Sequence, residues 1–171
     1  MFENIKMETI IIAAVSENDV IGFRGKIPWK IPEDIKRFKD KTIGHAVLMG
    51  RKTYDSIDEK FRPLLKRENI VLSRNPDYEE EGVMIYSNLD DAIEEARKRR
   101  VEKLFIAGGE GVYRDVMEKA DVIDLTKVHM EIEGDVHFPR IDCDAWRKVE
   151  SSDIYHSQSG LRYSIYRYER R

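Results

Sequence analysis

The chain has 171 residues, 41% hydrophobic and 37% charged, with a formal net charge of −3. That length suits one domain with a substantial core, and the slight acidic excess argues against a nucleic-acid partner, so any anionic ligand must be met by local cations. A single cysteine, Cys143, excludes an intramolecular disulfide and a thiolate metal site and fits a reducing cytoplasm.

In chain order, Glu8 to Val15 is a β-branched run that predicts a strand covered on both faces. Its apolar part is far too short to span a bilayer, and Glu3 and Glu8 spoil the basic start of a secretion signal, so no membrane partner is expected. Residues 1–7 read as a flexible extension, with Met7 as an alternative start. The segment from Asn18 to Lys26, with Gly22 and Gly25, is either a lid or a pair of turns. Pro28 and Pro32 bracket Trp29, and Pro32 suits the first position of a helix because it has no N–H to lose there.

In that helix Ile31, Asp34, Ile35 and Phe38 share one face, and it is the face a helix normally buries. Two readings of the acids follow. Glu33 or Asp34 complements the positive end of the helix dipole in an exposed first turn. Alternatively, Asp34 looks into a poorly solvated pocket with a raised pKa and a polar ligand to satisfy it. The phase of the apolar positions favours the second.

Ala46 to Gly50 predicts a second buried strand, leading through Gly50-Arg51-Lys52-Thr53 into a helix that includes Tyr54 and Ile57, with Thr53 as its N-cap. Asp58 to Arg67 reads as loop. A strand from Asn69 to Ser73 is stopped by Arg74-Asn75-Pro76, and a short one spans Val83 to Tyr86. Ser87 or Asn88 then caps a helix through Ala92, Ile93 and Ala96 whose basic end, Arg97 to Arg100, is a solvated face. Leu104 to Ala107 is a further strand, followed by Gly108-Gly109 and a helix through Tyr113 and Met117. Strands near Val122 to Val128 and after Ser152 complete the chain, Tyr163 to Tyr168 alternating like a sheet-edge hairpin. The pattern predicts a single α/β domain over 1–171 with a mostly parallel central sheet.

Two strand-to-helix turns carry the clearest chemistry. Unpaired N–H groups at a helix start attract phosphate, and glycine lets the phosphate approach, so Gly50-Arg51-Lys52-Thr53 together with Gly108-Gly109-Glu110-Gly111 suits a dinucleotide. The same glycines could simply turn the chain. Neither turn matches a Walker A or GxGxxG pattern, which disfavours phosphotransfer. Arg51 and Lys52 at one strand end and Arg74 at the next are either surface charge or a site for an additional phosphate, favouring NADPH over NADH. His45, His129, His137 and His156 lack metal-ligand spacing, so no metal is expected.

Val20-Ile21-Gly22, Ile27-Pro28-Trp29, Ile31-Pro32, Asp34 and Phe38 resemble the substrate loop and first helix of the dihydrofolate reductase family. The resemblance continues through Val47 to Thr53, Asn69 to Arg74, Gly108-Gly109 with Tyr113, and Glu133 to Pro139. It implies a sheet of about eight strands flanked by helices with a C-terminal antiparallel hairpin, and NADPH-dependent reduction of 7,8-dihydrofolate. On this resemblance Asp34, with water near Trp29, promotes protonation of the pterin, and Thr126 backs Asp34. Ile12, Ala14, Ile35, Phe38, Ile57, Leu64 and Tyr113 would line the folate pocket, Arg67 would bind the substrate's α-carboxylate, and Arg62 the same tail. The cofactor would meet Ala14, Ile21, Gly22, Gly50, Arg51, Lys52, Thr53, Ser73, Arg74, Ser87, Gly108, Gly109, Gly111, Val112 and Tyr113. The chain departs from the pattern at Asp58 to Phe61, which lengthens the loop before Arg62, and at Ala107 and Glu110. Antifolate inhibitors and a cytoplasmic monomer are further implications, with a homo-oligomer left open. Rival readings are the NADPH-dependent pyrimidine reductase of riboflavin synthesis and a non-catalytic folate- or nucleotide-binding module.

Overall fold

A computed structural model describes residues 6–171. Its first strand, β1 (Glu8–Ser16), is followed by β2 (Val20–Gly22), α1 (Pro32–Thr42), β3 (Ala46–Gly50), α2 (Arg51–Asp55), a single 3-10 turn at Glu59–Phe61, and β4 (Glu68–Leu72). The chain continues through β5 (Val83–Tyr86), α3 (Leu89–Lys98), β6 (Lys103–Ile106), α4 (Glu110–Val116), β7 (Val122–Val128), β8 (Val136–His137), β9 (Trp146–Ser151), β10 (Tyr155–His156) and β11 (Arg162–Arg170). The main sheet has the order β10-β11-β7-β1-β6-β3-β4-β5, with β9 also paired to β11. The six strands from β7 to β5 are parallel, and β11 runs antiparallel to β7.

Alternation along the strands divides the core. Ile11, Ala13 and Val15 of β1, with Leu48, Ile70, Leu104 and Ile106, face α3 and α4. Ile10 and Ile12, with Val47, Met49, Val71 and Phe105, face Tyr54 of α2 and Phe38 of α1. A period of two thus places a helix layer on each side of the sheet. Because the central strands are parallel, their C-terminal ends share one edge, where Gly50, Ser73, Ser87 and the Gly108-Gly109 turn stand in a row.

Several local expectations are corrected. The helix after β3 begins at Arg51 with Gly50 at its cap, so Thr53 lies inside the helix and is not its N-cap, and the helix ends at Asp55, short of Ile57. The turn is tight because the Gly50 N–H donates to the Gly108 carbonyl at 2.9 Å, which lets the helix start at once. Asn88, not Ser87, caps α3, its side chain accepting from the Asp91 N–H at 2.9 Å. The last strand is not at an edge: β11 lies between β7 and the short strands β9 and β10. Residues 1–5 of the expected extension lie outside the described residues, whereas Met7 is buried and packs in the cluster shared with α3 and α4.

The Asn18 to Lys26 segment has a pinned base and an open tip. Asn18 donates to the Ile132 carbonyl at 2.8 Å and accepts from the Ile132 N–H at 3.1 Å, and β2 pairs with β8. A Cβ on Gly134 would lie 2.1 Å from a methyl of Val20, so this crossing admits only glycine. The tip from Phe23 to Lys26 carries Arg24 and Gly25 in left-handed conformations and is largely exposed.

Candidate active site

Asp34 lies in the first turn of α1, over the place where Ala14 of β1 pairs with Thr126 of β7. Ile31, directly before the helix, is buried against Val128 and Tyr163, which anchors this end of α1 to the sheet beside Trp29. The buried Thr126 hydroxyl donates to Asp34 Oδ1 at 2.6 Å. Burial pushes the Asp34 carboxyl above its ordinary range and the negative charge of Asp124 adds to that, while the Thr126 hydrogen bond and the Arg37 charge pull the other way. Burial is the dominant cause, so the result is an acid that holds its proton beyond the usual carboxylate range.

The two acids of the first turn take separate roles. Glu33 accepts from the Ser157 hydroxyl at 2.6 Å and the Gln158 N–H at 2.8 Å, which ties α1 to the β10–β11 turn and lowers its pKa. Asp34 instead turns toward Thr126 on the sheet.

Of the expected pocket residues, Ile12 and Leu64 are buried, and Ala14, Phe38 and Ile57 are half-buried. Ile35 differs: it is 62% exposed, although its phase predicts burial. The physical reason is that the Asp34 face of α1 only partly rests on the sheet, and Ile31 and Phe38 make that contact. Leu64 is held by Asn69, which accepts from the Leu64 N–H and donates to the Leu64 carbonyl, both at 2.9 Å, and donates to the Arg67 carbonyl at 3.0 Å. Asn69 was not anticipated; a polar side chain opening an apolar strand was its only signal. Arg67 donates to the Thr42 hydroxyl at 3.2 Å and the Leu65 carbonyl at 3.0 Å, and desolvation lowers its pKa. Arg62 points elsewhere, with its guanidinium 5.5 Å from the Tyr54 ring centre and 3.6 Å from Asp55. Its partners Tyr54, Asp55 and Glu59 lie on α2 and the 3-10 turn, and none is shared with Arg67.

The second part of the site is the pair of glycine turns. The Gly50–Gly108 hydrogen bond joins them, and the Gly108–Gly109 bond is cis. Gly108 has φ +115°, which side-chain-bearing residues rarely adopt, and a Cβ on Gly109 would come within 3.2 Å of the Thr53 hydroxyl. Val112 packs beside Gly50, and neither α2 nor α4 has a side-chain N-cap. The result is a cradle in which the N–H groups of the first turns of α2 and α4 lack side-chain caps, which suits a pyrophosphate. Tyr113 closes it toward Asp34: its hydroxyl donates to the Ile12 carbonyl at 2.7 Å, and full burial raises its pKa. Ile12 and Ala14 thus lie between the cradle and the acid.

Arg51 stacks 4.3 Å from the Tyr78 ring centre and approaches Asp55 at 3.3 Å, while Lys52 and Arg74 are exposed at the same sheet edge. An open groove of ≈ 740 Å³ lies at the ends of β4 and β5, lined by Ser73, Tyr78, Tyr86, Ser87 and the acids Glu79 to Glu81. It extends the cradle and is remote from Asp34. Gly111 is exposed, and Ile21 and Gly22 are half-buried in β2. Among the described residues, no cluster of His, Cys, Asp or Glu is arranged to hold a metal, and no helix is long and apolar enough to cross a membrane.

Comparison with known proteins gives concordant results. A family model described as Dihydrofolate reductase matches residues 8–170. The chain is 41% identical over 140 residues to a dihydrofolate reductase of Bacillus subtilis, covering 82% of this chain and 80% of the relative. It is 39% identical over 162 residues to that of Neisseria gonorrhoeae, covering 95% and 98%. Among solved structures, a dihydrofolate reductase from Enterococcus faecalis complexed with NADP(H) and RAB-propyl superposes with a TM-score of 0.86 at 35% identity, covering 95% of this chain and 96% of that one.

Proposed function

The chain belongs to the dihydrofolate reductase family, and from this we infer that the cleft between Asp34 and the paired glycine turns is where its two ligands meet. The protein catalyses NADPH-dependent reduction of 7,8-dihydrofolate to 5,6,7,8-tetrahydrofolate. The residues present suit NADPH, since the Gly50 and Gly108-Gly109 turns form a cradle that a Cβ would begin to fill.

In this reading Gly50, Gly109, Gly111, Val112 and Thr53 hold the pyrophosphate. Arg51, Lys52, Arg74, Ser73 and Ser87 hold the adenosine end with its additional phosphate, and Ala14, Ile21, Gly22, Gly108 and Tyr113 border the nicotinamide. Bound NADPH supplies the hydride that adds to C6 of the pterin. Asp34 accepts hydrogen bonds from the pterin's amidine edge and, with water held near Trp29, delivers a proton toward N5. Thr126 fixes the rotamer of Asp34 by donating to Oδ1. Phe38, Ile57 and Leu64 exclude water, which strengthens each polar contact inside. Arg67 clamps the α-carboxylate with a fork already oriented by Thr42 and Leu65. Arg62 acts on this tail only by leaving Asp55. The Phe23 to Lys26 tip is proposed to cover the cleft from its pinned base.

The observation that carries the reading is the part-buried Thr126–Asp34 hydrogen bond placed over Ala14 of β1, with Tyr113, from the helix after the glycine turn, bonded to Ile12 of the same strand. The chain is further proposed to act as a single domain and a cytoplasmic monomer, supported by a site built wholly within one chain and by one exposed free cysteine. The test follows loss of NADPH absorbance with dihydrofolate and, separately, with the pyrimidine intermediate of riboflavin synthesis. Turnover of dihydrofolate alone, blocked by a diaminopyrimidine, is the expected result. Turnover of the pyrimidine alone would overturn the reading, and turnover of neither would leave a binding module.

A further inference from the structure

Beneath Asp34 lies a second set of charges that the reaction does not touch. Asp124 stands two residues before Thr126 on the same face of β7 and is 3% exposed. One Arg37 nitrogen donates to both of its oxygens, at 2.7 and 2.9 Å, and Lys41 donates at 2.8 Å. Arg37 and Lys41 follow Asp34 on α1 at successive helical turns, so helix and strand are joined at two levels: Asp34 to Thr126, and Arg37 with Lys41 to Asp124.

We propose that the Arg37–Asp124–Lys41 cluster is a positioning unit for Asp34, fixing α1 against β7 and setting the pH range over which the Asp34 carboxyl can pass on a proton. Packing alone does not call for this cluster. A buried carboxylate with its cations is commonly no more stabilising than an apolar pair of the same volume, so the charges themselves are the informative feature. Their effects on Asp34 oppose one another: Arg37 favours its ionised form and Asp124 disfavours it. Residues 124 and 126 are separated by about 6.6 Å along a strand, close enough for a poorly screened charge to matter.

The other groups around Asp34 are accounted for. On α1, Glu33 is held by Ser157 and Gln158. On β11, the Tyr163 phenol is pushed up by burial and stays neutral, and Arg167, in register with Asp124, contacts Glu169 at 3.3 Å and Glu8 at 4.0 Å. β1 contributes the uncharged Ile12 next to Asp124 and Ala14 next to Thr126, and the Tyr113 hydroxyl of α4 donates to the Ile12 carbonyl.

The inference rests on the reading of Asp34 as the proton-delivering group, and the test separates the two. Single-turnover hydride transfer is measured from acid to alkaline pH on the full chain and on Asp124→Asn, Arg37→Gln, Arg37→Lys, Lys41→Gln and the double variant Arg37→Gln/Asp124→Asn. The midpoint at which the rate falls should move down by about half to one pH unit in Asp124→Asn and up by a similar amount in Arg37→Gln. Arg37→Lys, which keeps the charge, should stay near the parent, Lys41→Gln should move up, and the double variant should return toward the parent. Scaffolding alone does not produce opposite signs that cancel. If Asp124→Asn fails to fold, the order of Arg37→Gln, Lys41→Gln and Arg37→Lys still decides. Midpoints that all coincide with the parent's, or that all move the same way, overturn the proposal while leaving Asp34 in place. A parent profile flat with pH overturns the Asp34 reading and the proposal with it.

Discussion

The raised pKa of Asp34 comes from poor solvation more than from any partner, and this makes its behaviour predictable. Replacing it with Asn should slow hydride transfer at neutral pH by about 10²–10⁴-fold, with partial recovery in acid where the substrate protonates itself. Stopped-flow NADPH oxidation across pH checks both halves of that statement. Thr126→Val removes a donor that stabilises the ionised carboxylate, so the pH at which the rate falls should rise, and losing one buried hydrogen bond should cost about 0.5–1.5 kcal/mol of stability. Asp34 was legible in the sequence because three apolar residues at helical spacing surround it. The Arg37–Asp124 pair was not, since an arginine on a helix and an aspartate far along the chain give no local signal of meeting. The alternation that places Asp124 on the Thr126 side of its strand was present in the residues but pointed to no partner.

At the scale of elements, the strand-to-helix turns were readable from their glycines, but the boundaries were not. Thr53 looks like a cap by residue type, yet the Gly50 N–H is already committed to the Gly108 carbonyl, so the helix begins three residues earlier. Tertiary hydrogen bonding overrode local preference. Gly108→Ala should be costly because φ is +115°, by about 1–3 kcal/mol, and NADPH affinity should fall with it. Chemical denaturation and calorimetric titration measure the two effects. Asn69→Ala should lose about 1–3 kcal/mol by leaving the Leu64 and Arg67 backbone groups unpaired, and should raise KM for dihydrofolate more than it lowers kcat. The strands β2 and β8 escaped the sequence because two or three residues carry too little periodicity to register, and β9 because only Trp146 of its six residues is buried, which leaves no apolar alternation to read.

For the whole molecule, the raised pKa of Asp34 is also a statement about folding. A carboxyl whose folded pKa lies above its ordinary value of 3.8 favours the native state below that ordinary value and loses the advantage as pH rises through the folded one. At neutral pH Asp34 therefore detracts from stability, and Asp34→Asn should melt higher than the parent there, the gap closing toward acid. Thermal melts of both proteins across pH give the comparison. The parallel centre and two-sided core were legible from composition and run length, whereas the position of β11 inside the sheet depends on pairings with β9 and β10 that no local pattern encodes. One exposed side chain carries a thermodynamic signature. Ile35 stands in water beside Asp34, and on the proposed reading a flat bicyclic ring covers it, so the heat of ligand association should grow more exothermic on warming, with a shallower slope once that isoleucine is cut back to alanine.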